Sequence, residues 1–248
     1  MRAAGILWLR QLKRYSRSRA RMVGSLGQPI LFLLALGFGL GPTFARAGAG
    51  NYLEFLAPGV IVMGILFTAV FSGIEVIWDR QFGFLRETLV APVSRLEIVL
   101  GRTLGAATVA LIQGVAVFVI CLFAGFRVAA PTLLPLALLF MFLIAVIFTA
   151  IGTAIGSVLR DMQGFPLVMN FIVLPLFFFS NALYPVEGLP APLRTALRLN
   201  PLTYGVDGVR GAFGRTSQFG VLTDLAVLAV LSVVLLALGS YLFSRIEP

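Results

Sequence analysis

Long runs of apolar residues, separated by short polar segments, dominate the chain. Six of these runs reach roughly 20 residues, about the length that a helix needs to cross the ~30 Å hydrocarbon core of a bilayer. They cover residues 22–41, 55–77, 99–123, 133–159, 165–183 and 221–243. The pattern predicts an all-α polytopic membrane protein, with six transmembrane helices in a single domain over residues 1–248. A kink is expected in the first span at Gln28-Pro29, because proline removes a helical hydrogen bond.

The composition indicates that part of the surface of this chain is in contact with lipid. Hydrophobic residues make up 59% and charged residues 12% of the 248 residues, whereas soluble domains carry about 25% charged residues. The sequence has no histidine and a single cysteine, Cys121, so a histidine base or a thiolate metal site is not expected. Its single lysine, Lys13, does not follow a glycine-rich loop, which excludes a Walker A site. We therefore expect no cofactor or metal on this chain, and ATP with Mg²⁺ only on a partner.

The N-terminal segment has the pattern of a helix that lies in the membrane interface. Residues 1–21 contain seven basic residues and no acidic one, and Trp8 and Tyr15 fall on an apolar face at helical spacing. Such helices are attracted to anionic lipid headgroups. The alternative is a solvated basic tail that only sets orientation.

The distribution of basic residues predicts the topology. With six spans, 13 lysines and arginines fall on the side of the N-terminus and 6 on the other side. The positive-inside rule then places both termini in the cytoplasm of a bacterial or archaeal cell, with the chain in the inner membrane. The excess of basic residues is assigned to topology, and no nucleic-acid partner is expected.

The predicted cytoplasmic loop after the second span has the pattern of a short amphipathic helix. Phe82, Leu85 and Leu89 fall at helical spacing, and Pro92 ends the pattern. A helix of this kind, held between two spans, suits docking into a groove on a soluble partner. An ordinary interfacial loop is equally compatible with the spacing.

A second polar segment precedes the last span on the opposite side. Pro192 and Pro201 each suit the first turn of a helix, which predicts two short helices separated at Asn200. Asn200 can cap the second helix. Asp207 lies three residues from both Tyr204 and Arg210, so either side chain can pair with it. The segment is a candidate gate; the alternative is a surface loop with one weak ion pair.

Two further features lie inside the spans. Glu75 is the acidic residue well inside a predicted span, and it either contacts substrate or pairs with Arg80 or Arg102 near the interface. Gly152 and Gly156 are spaced for a close helix–helix contact, either within the chain or with another copy.

Both polar segments resemble those of the ABC-2 type transporter permeases, most closely the branch with daunorubicin-resistance and nodulation-factor exporters. The first resemblance is carried by Gly83-Phe84-Leu85-Arg86-Glu87, Leu89-Val90-Ala91-Pro92 and Ser94-Arg95. The second is carried by Ser180-Asn181-Ala182-Leu183-Tyr184-Pro185, Pro190, Asn200-Pro201-Leu202-Thr203-Tyr204, Val206-Asp207 and Arg210. The family usually has glycine at the position of Asn181, and often Thr-Leu-Glu at positions 84–86.

The resemblance implies a transport subunit rather than an enzyme. Such permeases pair as two copies with two separate ABC ATPase subunits, and they export amphiphiles such as drugs, lipids, glycolipids or polysaccharides. It assigns the ATPase contact to Gly83, Phe84, Leu85, Arg86, Glu87, Leu89 and Pro92. It assigns the extracytoplasmic gate, made of re-entrant helices, to Tyr184, Pro185, Asn200, Pro201, Tyr204, Asp207 and Arg210.

Two other classes of function would require features that this sequence lacks or shows only singly. An ATP-independent secondary transporter or channel is expected to carry paired intramembrane acids or inverted repeats, and the sequence has one candidate acid, Glu75, and no visible repeat. An intramembrane enzyme needs a nucleophile with a base or a metal cluster. The scattered carboxylates of this chain do not suggest one.

Overall fold

The computed structural model describes residues 2–46, 51–84, 94–186 and 189–244. Within these ranges the chain is helical with connecting turns, and no strand is present. The helices in chain order are α1 (Arg2–Arg17), α2 (Arg19–Phe32), α3 (Gly39–Arg46), α4 (Tyr52–Phe71), α5 (Ile74–Gln81), α6 (Arg95–Phe123), α7 (Leu134–Val158), α8 (Gly164–Phe178), α9 (Ala191–Leu199), α10 (Pro201–Ala212) and α11 (Val221–Ser244).

Five helical segments are long and apolar enough to cross a membrane. They are Arg19–Phe44, Tyr52–Gln81, Arg95–Phe123, Pro131–Val158 and Val221–Phe243. Each contains most of a predicted span, and the last coincides with its prediction. The predicted all-α membrane architecture is therefore confirmed at this level.

The predicted fifth span corresponds to a shorter helix. α8 has 15 residues, or about 22 Å at 1.5 Å per residue, and the chain then leaves the helix in a series of turns up to Val186. Pro175 lies within its last turn. The count of six spans stays a prediction.

Two of the long segments are interrupted. A π-helical stretch, Leu33–Phe38, connects α2 to α3 and begins one turn after Pro29. Between α4 and α5 the helix breaks at Ser72 and Gly73, against Gly152 and Gly156 of α7. A Cβ atom on Gly73 would lie 2.0 Å from the Gly152 carbonyl oxygen, and one on Gly152 would lie 2.2 Å from that of Val70. The two glycines of α7 thus permit a close contact within the chain.

The N-terminal helix packs along α6, its main neighbour. Gly101 and Gly105 of α6 lie so close to α1 that a Cβ atom on Gly101 would meet the backbone of Ala4 at 2.7 Å. The Trp8 indole donates to the Thr108 hydroxyl at 3.0 Å, and the Tyr15 hydroxyl donates to Gln113 Oε1 at 2.7 Å. Because α1 lies along the bundle, Tyr15 is buried.

The core runs through α4, α6, α7, α10 and α11, which contact one another. The bundle has two ends with different polar residues. We call the end with α1, α5 and the start of α6 the α1 end. We call the opposite end, with α9, α10 and the start of α11, the α10 end.

Candidate functional site

The α1 end holds a network of charged side chains, which we call the arginine network. Its members are two acidic residues of α5 and four arginines: Glu75, Asp79, Arg10, Arg14, Arg21 and Arg102. Glu75 and Asp79 are one helical turn apart and therefore share a face of α5. Their side chains are 7% and 10% exposed, respectively, so both carboxylates need partners.

Arginines from three helices supply those partners. Glu75 Oε1 accepts from Arg21 Nη1 of α2 at 2.9 Å, and Arg14 Nη1 of α1 lies 3.8 Å from Oε2. Asp79 Oδ2 pairs with the buried Arg102 of α6 at 2.8 Å, and its Oδ1 pairs with Arg10 of α1 at 3.5 Å. The two acids thus connect α5 to α1, α2 and α6, with four positive charges against two negative ones.

The prediction that Glu75 pairs with Arg80 or Arg102 was wrong. Arg102 pairs with Asp79 instead, and Arg80 donates to the carbonyl oxygens of Ser157 and Leu159 at 2.6 and 3.2 Å. The pairing could not be predicted from the sequence, because Glu75 lies far along the chain from the N-terminal arginines and their contact depends on how α1 and α2 pack. Asp79 was missed, although its position four residues after Glu75 was a usable signal.

The predicted ATPase contact begins beside this network. Gly83 has a φ of +79°, a left-handed conformation that suits glycine, and ends the turn after α5. Phe84 is about half exposed, and the Arg10 guanidinium lies 5.1 Å from its ring centroid. The remaining predicted contact residues lie outside the described residues: Leu85, Arg86, Glu87, Leu89 and Pro92.

At the α10 end, two predicted gate residues complete the hydrogen bonding of α8. The Asn200 amide donates to the carbonyl oxygens of Leu176 and Phe179 at 2.6 and 2.7 Å. The Tyr184 hydroxyl donates to the Phe178 carbonyl. The last carbonyls of a helix have no intrahelical partner, and lipid cannot supply one. These side chains therefore allow α8 to end early in apolar surroundings.

Asn200 also caps α10, as expected. Its Oδ1 accepts from Leu202 N at 2.9 Å, and Pro201 occupies the first turn. Pro192 occupies the first turn of α9 in the same way. The apolar face of α10 is buried: Leu202, Val206 and Val209 are fully buried, and Phe213, directly after the helix, is 1% exposed.

Asp207 lies at the centre of a second set of polar residues, the Asp207 cluster: Asn181, Asp207 and Arg210. Asp207 is fully buried. Its Oδ2 accepts from the backbone N–H groups of Gln218 and Phe219 at 2.7 and 2.9 Å. Its Oδ1 lies 3.4 Å from Asn181 Nδ2 and 4.0 Å from Arg210 Nη1. Asp207 therefore joins α10 to the loop before α11 and to the turns after α8.

Arg210 makes the corresponding contacts on the other side of the cluster. Its Nη2 donates to the carbonyl oxygen of Asn181 at 2.9 Å, and its guanidinium lies 4.4 Å from the centroid of the Phe55 ring. Burial lowers the pKa of Arg210 to about 10, although Asp207 opposes the shift. The predicted Asp207–Arg210 pair is present, and it lies in a buried site rather than on an exposed loop.

The other predicted gate residues lie at the edge of the cluster. The Tyr204 hydroxyl donates to the Arg198 carbonyl at 2.8 Å, so of the two suggested partners of Asp207 it is Arg210 that lies beside it. Pro185 is half-buried and directly follows Tyr184 in the turns after α8. Neither residue reaches the charged centre.

Two residues of this end were missed from the candidate site. Asn181 contributes a side-chain donor to Asp207 and a backbone acceptor to Arg210. Asp224, in the first turn of α11, is fully buried against Asp207. Its carboxyl group lies within hydrogen-bonding reach of that of Asp207, and neither oxygen accepts a bond from an N–H or hydroxyl group among the described residues.

The chain is similar in sequence to known transport proteins. A family model described as "ABC-2 type transporter" matches residues 2–213. Nodulation protein J of Rhizobium leguminosarum bv. trifolii is 30% identical over 193 residues, covering 77% of this chain and 73% of the relative. The inner membrane transport permease YadH of Escherichia coli K12 is 26% identical over 230 residues, covering 90% and 88%. The chain thus belongs to the ABC-2 type transporter permease family.

Proposed function

We propose that this chain is the membrane-spanning subunit of an ABC exporter. Two copies of it pair with two separate ATPase subunits, and ATP hydrolysis there moves an amphiphilic or lipid-linked substrate out of the cytoplasm or inner leaflet. Permeases of this family normally work with an ABC ATPase. The sequence itself has no Walker A loop, which supports ATP hydrolysis on another chain.

The arginine network is the observation that carries the proposal. In it, α1 and the helix that leads into the 83–92 segment are joined by ion pairs at 3.5 and 3.8 Å, from Arg10 and Arg14. An ATPase that binds the α1 end can therefore move α5 and α1 together. Because α5 continues from α4 after the break at Gly73, such a movement reaches the membrane core at this break in the helix.

The α10 end is proposed as the extracytoplasmic gate. α9 and α10 have 9 and 12 residues, about 14 and 18 Å at 1.5 Å per residue, which is too short to cross a bilayer. Short helices at membrane depth need internal partners for their polar groups. The Asp207 cluster and the Asn200 contacts supply them, and their rearrangement would open the end.

The first test of the function uses the tagged chain coexpressed with its genomic neighbours and purified in mild detergent. An ATPase subunit should copurify, and the complex in liposomes should hydrolyse ATP and export an amphiphile. Leu85→Glu should reduce both complex formation and export while leaving membrane insertion intact. Export without ATP would favour the alternative, a secondary transporter or channel. Persistence of complex and export in Leu85→Glu would contradict the docking assignment.

A second test addresses the proposed orientation. Single cysteines are introduced at positions 16, 88 and 194 in a chain that lacks Cys121, and they are labelled with a membrane-impermeant maleimide. Positions 16 and 88 should react only from the cytoplasmic side, and position 194 only from outside. Labelling of positions 88 and 194 from the same side would contradict the topology.

A further inference from the structure

A cavity of about 350 Å³ lies beside the arginine network, between α1, α2 and α4. Its polar wall comes from the segment around the α1–α2 junction and its apolar wall from α4. The lining includes Tyr15, Arg21, Ser25, Gln28, Phe67 and Phe71. It therefore offers a charged and hydrogen-bonding region and an aromatic surface within one space.

The charge at the cavity is positive. Arg21 is the charged residue of its lining, and its side chain is 38% exposed, so a ligand can reach it. One carboxylate, Glu75, pairs with Arg21, but Glu75 is shared with Arg14. Across the whole network four arginines face two acids. An anion at Arg21 would reduce this excess of positive charge.

The apolar wall fits a hydrocarbon tail. Phe67 and Phe71 stack one turn apart on α4, with ring centroids 6.2 Å from each other. The neighbouring helix α2 exposes Val23 and Leu31, which are 70% and 66% exposed, as expected of a surface in contact with lipid. A tail leaving the cavity along α2 would thus remain in apolar surroundings.

We propose that this cavity binds an amphiphile with an anionic head group, held by Arg21, with its tail against Phe67 and Phe71. The head group is of the phosphate, sulfate or carboxylate class, for which a guanidinium is a strong donor. The inference rests on the proposed export function, and it narrows the substrate class to anionic amphiphiles taken from the leaflet at the α1 end.

Binding is tested on the purified full-length chain in phosphatidylcholine nanodiscs without ATP. Equilibrium dialysis compares radiolabelled dodecyl phosphate with dodecylphosphocholine, which has the same tail and no net charge. Wild type should bind dodecyl phosphate at least about tenfold more tightly, the scale of one charge-assisted contact. Equal affinity for the two amphiphiles would overturn the proposal.

Variants assign the contact to Arg21. Arg21→Gln should weaken dodecyl phosphate binding about tenfold, whereas Arg19→Gln, which removes the same charge two residues away, should change it less than about twofold. Glu75→Gln should strengthen binding, because it frees Arg21 from its carboxylate. If the Arg21–Glu75 pair only stabilises the fold, Arg21→Gln and Glu75→Gln should both weaken binding. Equal effects of Arg21→Gln and Arg19→Gln on binding would also contradict the site. Glu75→Gln decides the question even if Arg21→Gln does not fold.

The source of the anion is found by repeating the titration in nanodiscs that contain phosphatidylglycerol. Weaker dodecyl phosphate binding to wild type, absent in Arg21→Gln, would show that a membrane phospholipid occupies the same site. Unchanged binding would support a site for another anionic amphiphile. Because these measurements need no ATPase, they fail or succeed independently of ATP-driven export.

Discussion

The charged residues at the two ends of the bundle differ in their exposure and in the kind of partner that they contact. In the arginine network, side chains pair with side chains, and three of its arginines are 38–40% exposed. In the Asp207 cluster the residues are nearly fully buried, and most contacts go to backbone atoms. Contacts between exposed side chains can exchange partners at low cost, whereas a buried carboxylate bonded to backbone amides cannot. The α1 end is therefore suited to move with a partner, and the α10 end to hold one arrangement until it is forced open.

The largest effect is expected for Asp207→Asn. It leaves Arg210 buried without its carboxylate and weakens the contacts with two backbone N–H groups, so it should reduce the free energy of unfolding by about 3–5 kcal/mol. SDS titration of the detergent-purified protein measures this. Asp224→Asn is the matched control: no N–H or hydroxyl group among the described residues donates to Asp224, and the amide of an asparagine there can still donate to the neighbouring Asp207, so stability should not fall. An equal loss in both variants would contradict the assigned contacts.

An intermediate effect is expected for Arg102→Gln at the other end. Asp79 loses its 2.8 Å partner but keeps Arg10 at 3.5 Å. The loss should be about 1.5–3 kcal/mol, the range for a hydrogen bond to a charged group. The same SDS titration applies, with Lys13→Gln on the exposed surface of α1 as control, within about 0.5 kcal/mol of wild type. A loss as large as that of Asp207→Asn would show that both ends are equally rigid.

The smallest effect is expected for Glu54→Gln. Glu54 and Arg215 form an ion pair near the α10 end, but their side chains are 29% and 28% exposed, respectively. Ion pairs in contact with water typically contribute about 0–1 kcal/mol. If the SDS titration shows a loss of unfolding free energy comparable to that of Asp207→Asn, the degree of burial does not explain why the charged residues at this end differ in their contribution to stability.

Local patterns allowed much of the fold to be predicted. The spans followed from runs of apolar residues, and the starts of α9 and α10 followed from Pro192, Pro201 and Asn200, because these signals act within one or two turns. The break at Gly73 had no comparable signal, since it depends on the approach of Gly152 and Gly156 from α7.

Pairings across the bundle could not be predicted in the same way. The partners of Glu75 lie 54 and 61 positions earlier in the chain, so their contact depends on how α1 and α2 pack. Asn200 was expected to cap α10, but its bonds to α8 require the turns after Phe178 to return towards α10. Asp224 carried no signal of its own in the sequence, because its proximity to Asp207 arises from the packing of α10 against α11.

The most direct test of the account measures export and ATP hydrolysis together in liposomes that contain the permease and its ATPase. Asp79→Asn, which removes the ion pairs of α5 with Arg10 and Arg102, should lower substrate-stimulated hydrolysis and export in parallel, because coupling to the ATPase is weakened. Asp207→Asn should still copurify with the ATPase and retain basal hydrolysis, but should change the amount exported per ATP. If both variants lose the same activity to the same degree, or neither loses any, the two ends do not have the separate roles assigned to them.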